Sequence, residues 1–306
     1  MLGPVLETLI GGLMTGVLYS LVALGFVLIF KASGVFNFAQ GAMVLFAALS
    51  FARLSEAMPL VLAFALSVLI MIALAYAIEF LVLRRLVNQE GIILFMATLG
   101  IAYFLEGFGQ TIWGSDIYKI GLGLPTDPIF ILESVFPGGL LIDPAEFIAA
   151  IICAAMVLVL AVFFQVTRVG RALRAVADDH QAAQSVGIPL NRIWLMVWAV
   201  SGLVALVAGM MWGVKLGVQF SLSLIALKAL PVLILGGFTS IPGAIVGGLI
   251  IGAGEKLAEV FLAPVLIRTF DLAGGGIENW FAYVLALVFL LIRPQGLFGE
   301  RIIERV

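Results

Sequence analysis

Charge is scarce in this 306-residue chain. Asp, Glu, Lys and Arg together make 11% of it, where a soluble domain runs at about 25%. One cysteine, Cys153, and one histidine, His180, are present. A lone cysteine excludes an intramolecular disulfide and a multi-cysteine metal site. A lone histidine excludes a His-rich metal centre, so no metal site is expected. The net charge of −2 gives no basic surface for nucleic acid. The glycine-rich stretch 235–248 lacks the Gly-Lys-Ser/Thr ending of a phosphate loop, and no strand precedes it, so no nucleotide site is read there. No nucleophile–base constellation surrounds His180, and Cys153 stands among aliphatic residues, so an enzyme is not expected.

Apolar residues are what the chain has in excess, at 63%. Its few polar residues could not cover so much apolar surface in water. A helix needs about 20 apolar residues to cross the hydrocarbon core, so eight or nine helices would use roughly 180. The composition therefore points to an all-α polytopic membrane protein with eight or nine spans, forming one domain over residues 1–306. Uncharged runs extend over 8–30, 32–52, 57–78, 147–167, 193–214 and 229–254. The runs 91–113 and 277–292 hold one acid each, Glu106 and Glu278. A β-barrel would show ten-residue alternating segments instead. The start of the chain has no basic region and no small-residue cleavage site after Phe30, so the first span is expected to be retained.

Lys31, Arg84, Arg85, Arg168, Arg171, Arg174, Arg192, Arg293, Arg301 and Arg305 mark one side of the membrane. Positive loops stay in the cytoplasm. The segment 114–144 carries Lys119 against Asp116, Asp127, Glu133 and Asp143, which places it outside. The N-terminus is then outside and the C-terminus cytoplasmic. An odd number of crossings follows, reaching nine if 221–238 is a short or broken crossing and eight if that piece is re-entrant.

Three features stand out locally. The loop 168–192 holds Arg171 and Arg174 on one side of a helical pattern and Ala172, Ala175 and Val176 on another. Asp178 or Asp179 can cap a second short helix over 181–186, with Gly187 as its stop and Pro189 barring continuation. Two short helices with a small-residue face suit a docking surface; the alternative is a basic loop that only sets topology. Next, Asn37 and Gln40 are uncharged polar residues at membrane depth, facing either a pathway or another helix. Finally, the Gly/Pro-rich break around Lys228 to Thr239 suits a transport site, because irregular backbone in a membrane needs cover by protein or a cavity. Gly243/Gly247 and Gly248/Gly252 are spaced for close helix packing. Glu106 and Lys228 are the deeper charges; Lys215, Glu255, Lys256 and Glu259 fall near helix ends, where they can snorkel to the interface.

Taken together, these motifs resemble the permease subunits of branched-chain amino-acid ABC importers, the LivH type. The likeness rests on Tyr19-Ser-Leu-Val-Ala-Leu-Gly, Gly34-Val-Phe-Asn-Phe-Ala-Gln-Gly, Gly170-Arg-Ala-Leu-Arg-Ala-Val-Ala-Asp-Asp, Leu235-Gly-Gly-Phe-Thr-Ser-Ile-Pro-Gly-Ala and Arg293-Pro-Gln-Gly-Leu-Phe-Gly, in that order along nearly the whole chain. Gln181-Ala-Ala-Gln-Ser-Val-Gly is similar to the Glu-Ala-Ala-x-x-x-Gly loop of ABC permeases, with Gln181 in the Glu place. The resemblance implies an ABC permease fold with broken helices and a cytoplasmic coupling helix. It assigns Arg171, Arg174, Asp178, Asp179, Gln181, Ala182, Ala183 and Gly187 to contact with an ATPase. It also implies the partners: a second permease of LivM type, two ATPases that bind the ATP and Mg, and an extracytoplasmic solute-binding protein. This chain would itself hold no cofactor. Asn37, Gln40, Glu106, Lys228 and Thr239 become the expected substrate pathway. Gln40 stands where many such chains have His, and Ala42 where they have Glu. The superfamily also imports urea, short amides and aromatic acids, so the expected cargo is a branched-chain amino acid or a related small solute.

Two rival readings remain: an ion-coupled secondary transporter and an intramembrane enzyme. The first usually needs ion-coordinating acids or broken helices at the midplane, and Glu106 is the sole deep acid here. The second needs a reactive pair or metal ligands. Copurification with an ATPase separates both from an importer permease, whose location would be the bacterial cytoplasmic membrane.

Overall fold

The computed structural model describes residues 2–86, 89–125, 127–131, 133, 136, 139–271 and 275–299. Arg301 and Arg305, used above for orientation, lie outside these described residues. The chain is helical nearly throughout: α1 (Leu2–Ser33), α2 (Gln40–Ala57), α3 (Leu60–Leu81), α4 (Gly91–Trp113), α5 (Pro144–Val166), α6 (Arg168–Asp178), α7 (His180–Ser185), α8 (Leu190–Leu216), α9 (Ile225–Lys228), α10 (Leu230–Gly236), α11 (Ile241–Leu257), α12 (Ala263–Phe270) and α13 (Ile277–Ile292). A short antiparallel pair, β1 (Ile129–Ile131) and β2 (Leu140–Ile142), sets Phe130 opposite Leu141. The sequence reading anticipated no strand in this segment. Three paired residues beside several Gly and Pro give too little alternation to detect.

Five described helical segments are long and apolar enough to cross a membrane: Gly3–Ser33, Leu60–Arg85, Gly91–Trp113, Pro144–Val166 and Leu190–Leu216. A sixth arises if Phe220–Gly236 and Ile241–Phe270, bent by 115°, count as one span. The expectation of eight or nine treated every uncharged run as a full crossing. Two of those runs fall short. The run 32–52 divides at Gly34–Ala39, and its helical part, α2, continues through Arg53 and Glu56. The run 277–292 gives a 16-residue helix, where a full crossing takes about 20.

The helices group into two compact units. One comprises Leu24–Leu122 and Met156–Ala226. Its centre is α2, buried without interruption from Gln40 to Ala52. The helices α3, α4 and α8 pack on α2, and α3 also packs on α8. Gly209 of α8 lets the two backbones meet: a Cβ there would lie 2.5 Å from the Val44 carbonyl. The helices α3 and α4 are largely exposed, and their outward residues are apolar, as a lipid-facing surface requires.

The other unit comprises Met1–Ala23, Gly123–Ala155 and Leu227–Val306. Here α10, α11 and α13 pack together, and the first half of α1 lies against α11 through glycines. A Cβ at Gly16 would sit 2.6 Å from the Gly248 carbonyl, and one at Gly247 would sit 2.7 Å from the Val232 carbonyl. The two glycine pairs read from the sequence thus serve close packing, Gly248 and Gly252 toward α1, Gly243 and Gly247 toward α10.

Candidate functional site

The loop after α5 folds as two short helices. Thr167 caps α6, its Oγ1 accepting from the Gly170 amide at 3.2 Å. Asp179 begins the second helix: its Oδ1 accepts from the Ala182 amide at 3.0 Å. After α7 the chain reverses at Gly187, with φ +89, and the Ile188 amide donates to the Ala183 carbonyl at 3.0 Å. This is a glycine C-terminal stop, which satisfies carbonyls that the helix leaves open. The second helix spans 180–185 rather than 181–186, and of the two candidate aspartates it is Asp179 that takes the capping position.

The side chains of this loop divide into two sets. Leu173, Val176 and Ala183 are buried, whereas Ala182, Asp178, Asp179 and Gly187 are exposed. Of the two alanines assigned to partner contact, Ala182 is therefore available on the surface, and Ala183 packs inside. Arg174 donates to the Phe164 carbonyl at 2.7 Å and Arg171 to the Val166 carbonyl at 3.1 Å. Both arginines thus cap the C-terminal end of α5, where open carbonyls and the helix dipole favour cations. Gln181 lies within α7.

In the first unit, Asn37 and Gln40 come together at the start of α2. The turn begins at Gly34, φ +70. Asn37 Oδ1 accepts from the Ala39 amide at 3.0 Å, an Asx turn that leads into the helix. Asn37 Nδ2 donates to Gln40 Oε1 at 3.4 Å, and Ser201 of α8 donates to the same oxygen at 2.8 Å. Ser201 also lies 3.3 Å from the Gly25 carbonyl. All three side chains are wholly buried. Gln40 therefore makes the helix–helix hydrogen bond that was the alternative to a pathway role. Its Nε2 has no hydrogen-bond partner among the described residues, and Gly25 leaves the room that the amide occupies.

In the second unit, Lys228 at the end of α9 pairs with Glu255 of α11, Nζ to Oε1 at 3.3 Å. The Tyr19 hydroxyl donates to the same carboxylate oxygen at 3.2 Å. Glu255 and Tyr19 are buried, while Lys228 is 37% exposed. The sequence reading placed Glu255 at an interface. It could not connect residues 19, 228 and 255, because no local spacing links them. A one-turn π-helix, Ala258–Leu262, follows directly; such bulges are frequent at functional sites.

The break between α10 and α11 lies in the same unit. Gly237, φ +102, ends α10. The segment Arg293–Gly299 returns to it: the Leu297 amide donates to the Leu235 carbonyl at 2.7 Å, and the Phe298 amide to the Gly236 carbonyl at 3.1 Å. Two motifs 58 residues apart in sequence, starting at Leu235 and Arg293, are thus one structural feature. The tail covers the backbone that the broken helix leaves open, as a membrane requires. Thr239 sits half-buried in this break, and Glu106 is half-buried on α4.

Among the described residues no group of three or more His, Cys, Asp or Glu could hold a metal ion. A family model described as "Branched-chain amino acid transport system / permease component" matches residues 8–293. The chain is 29% identical to the high-affinity branched-chain amino acid transport system permease protein BraD of Pseudomonas aeruginosa, covering 98% of each. It is 27% identical to the corresponding protein LivH of Escherichia coli K12, covering 98% of this chain and 97% of that one. Among solved structures it is similar to PsaBC from Streptococcus pneumoniae in complex with Fab, at 18% identity and TM-score 0.49, covering 96% of this chain and 97% of that one. With the family model spanning nearly its whole length, a helical membrane chain of this architecture belongs to the branched-chain amino acid transport permease family.

Proposed function

We propose that this chain is the permease subunit of an ATP-driven importer for a branched-chain amino acid or a related small solute. The observation that carries the reading is the family match over residues 8–293, which contains every motif singled out above except the final one, entered only at Arg293. The chain is passive in this scheme. Two ATPase subunits bind ATP and Mg and hydrolyse the nucleotide, an extracytoplasmic binding protein delivers the solute, and a second permease of LivM type completes the channel. The complex resides in a bacterial cytoplasmic membrane, with the N-terminus of this chain outside and its C-terminus inside.

Energy transfer is assigned to the loop 168–192. Its two short helices, capped at Thr167 and Asp179 and stopped at Gly187, form a defined body fixed to α5 by Arg171 and Arg174. A rigid lever suits coupling better than a loose loop does. The partner-facing set is Ala182, Asp178, Asp179 and Gly187, with Gln181 added from the motif alone and Ala183 holding the lever together from within. For the pathway we assign Lys228 and Thr239 in the second unit, while Asn37 and Gln40 fix the entry to α2 in the first.

Liposome uptake of radiolabelled leucine tests the reading. The purified chain alone should show none, and the complex with ATPase, second permease and binding protein should accumulate leucine when ATP is present. Robust uptake by the chain alone would overturn the proposal in favour of a secondary transporter.

A further inference from the structure

On the lipid-facing side of the first unit, an apolar groove of about 360 Å³ runs between α3 and α4. Both helices are mounted on α2. Small residues keep the groove open on both walls: Ala77 on α3, Ala97 and Gly100 on α4. A Cβ at Gly100 would meet no atom within 4 Å, so this glycine is not required by the packing of the chain itself. On α3 the lining runs from Leu74 to Val82. Eight residues of helix rise about 12 Å, close to the roughly 15 Å that one leaflet contributes to the hydrocarbon core. The groove has the depth of one acyl chain.

The helix α3 continues past Val82 into a 3-10 turn, Leu83–Arg85. Arg84 and Arg85 are both exposed. The Arg84 guanidinium lies over the Phe80 ring, 6.0 Å from its centroid, at the end of α3 beside the groove rather than on its lining. Among the described residues, neither arginine pairs with a carboxylate. Glu90, at the start of α4, is exposed and engages neither. Two arginines with no carboxylate partner among the described residues thus stand two and three residues beyond the last lining residue, Val82.

We propose that this groove seats one acyl chain of an anionic phospholipid whose phosphate rests on Arg84 and Arg85. An acyl chain gains no hydrophobic free energy by moving from bilayer to groove, because both surroundings are apolar. Selectivity therefore comes from the headgroup. Guanidinium groups match phosphate with paired, charge-assisted hydrogen bonds, and basic sites beside membrane helices bind anionic headgroups in this manner. The groove fixes where the lipid stands, and the arginines fix which lipid it is.

Native mass spectrometry of the purified full chain, offered equal phosphatidylglycerol and phosphatidylethanolamine in mixed micelles, tests this. The wild type should retain one lipid per chain and prefer phosphatidylglycerol by about tenfold, the factor one charge-assisted hydrogen bond provides. Gly100→Phe and the milder Gly100→Leu fill the groove and should lose the bound lipid. Arg84→Gln with Arg85→Gln should keep a lipid but lose the headgroup preference. Val159→Phe, at an exposed position outside the groove, should match the wild type. Equal retention in the wild type and both Gly100 variants would mean ordinary annular lipid and overturn the proposal. So would a photo-crosslink from position 97 in the assembled complex to a second permease chain instead of to lipid.

Discussion

The contact between α1 and α11 permits a direct test of how this membrane fold holds together. Lipid-embedded helices gain little from apolar burial, so their association depends on close van der Waals approach. At Gly16 the approach is backbone to backbone. An added Cβ would lie 2.6 Å from the Gly248 carbonyl oxygen and 2.9 Å from the Leu249 Cα, where about 3.5 Å or more is comfortable for carbon. Neither neighbour is a flexible side chain end, so the helices must part by most of an ångström. Overpacking of this kind costs about 1–3 kcal/mol, and the better helix propensity of alanine returns about 0.5–1 kcal/mol. The net loss for Gly16→Ala is roughly 1–2 kcal/mol, a melting point lower by about 2–8 °C. Gly11, on the same helix, is the control: a Cβ there meets nothing within 4 Å. Gly11→Ala should be neutral or raise the melting point by up to about 4 °C. Cys153 provides the probe. It is the only cysteine and is fully buried, so a thiol-reactive fluorophore reports unfolding of the purified chain. If Gly16→Ala melts no lower than Gly11→Ala, the glycine contact does not hold α1 to α11 and the packing argument fails.

In the loop 168–192, proposed above to contact the ATPase, Ala182→Trp should leave the chain folded and weaken ATPase capture in pull-down, because Ala182 is exposed. Ala183→Trp should disrupt the loop itself, because Ala183 is buried. Gly187→Val forces a β-branched residue to φ +89, at a cost of about 1–2 kcal/mol, and should uncouple ATP hydrolysis from uptake in reconstituted complexes. Equal capture by Ala182→Trp and wild type would return the loop to a topological role. At the ion pair, Lys228→Gln should lower the melting point more than Glu255→Gln, since it removes the paired cation from a buried carboxylate and leaves it the Tyr19 hydroxyl. The partial exposure of Lys228 holds the cost to about 1–3 kcal/mol. The double variant should be milder than Lys228→Gln alone, and the reverse order in the same thiol assay would contradict the geometry.

Composition determined that this is a membrane protein, because too few polar residues exist to cover its apolar surface in water, and the long uncharged runs made it helical. Local chemistry determined the two short helices of the loop 168–192 almost to the residue. A capping aspartate, a glycine stop and a barring proline act within a few positions of one another, so they are legible in sequence. The number of crossings was not legible in the same way. An uncharged run does not show where its helix begins and ends: only the structure divides the run 32–52 at Gly34–Ala39 and carries α2 on through Arg53 and Glu56. The polar clusters were decided by tertiary structure as well. Gln40 finds Ser201, and Glu255 finds Lys228 and Tyr19, across gaps that no helical or strand period spans. The same holds for the break at Gly237: sequence marked it as a break, but only the fold brings the Arg293 segment back to bond the carbonyls it leaves open. Short-range hydrogen bonding and periodicity are written along the chain, whereas the partner of a buried polar group depends on which distant helices the fold sets side by side.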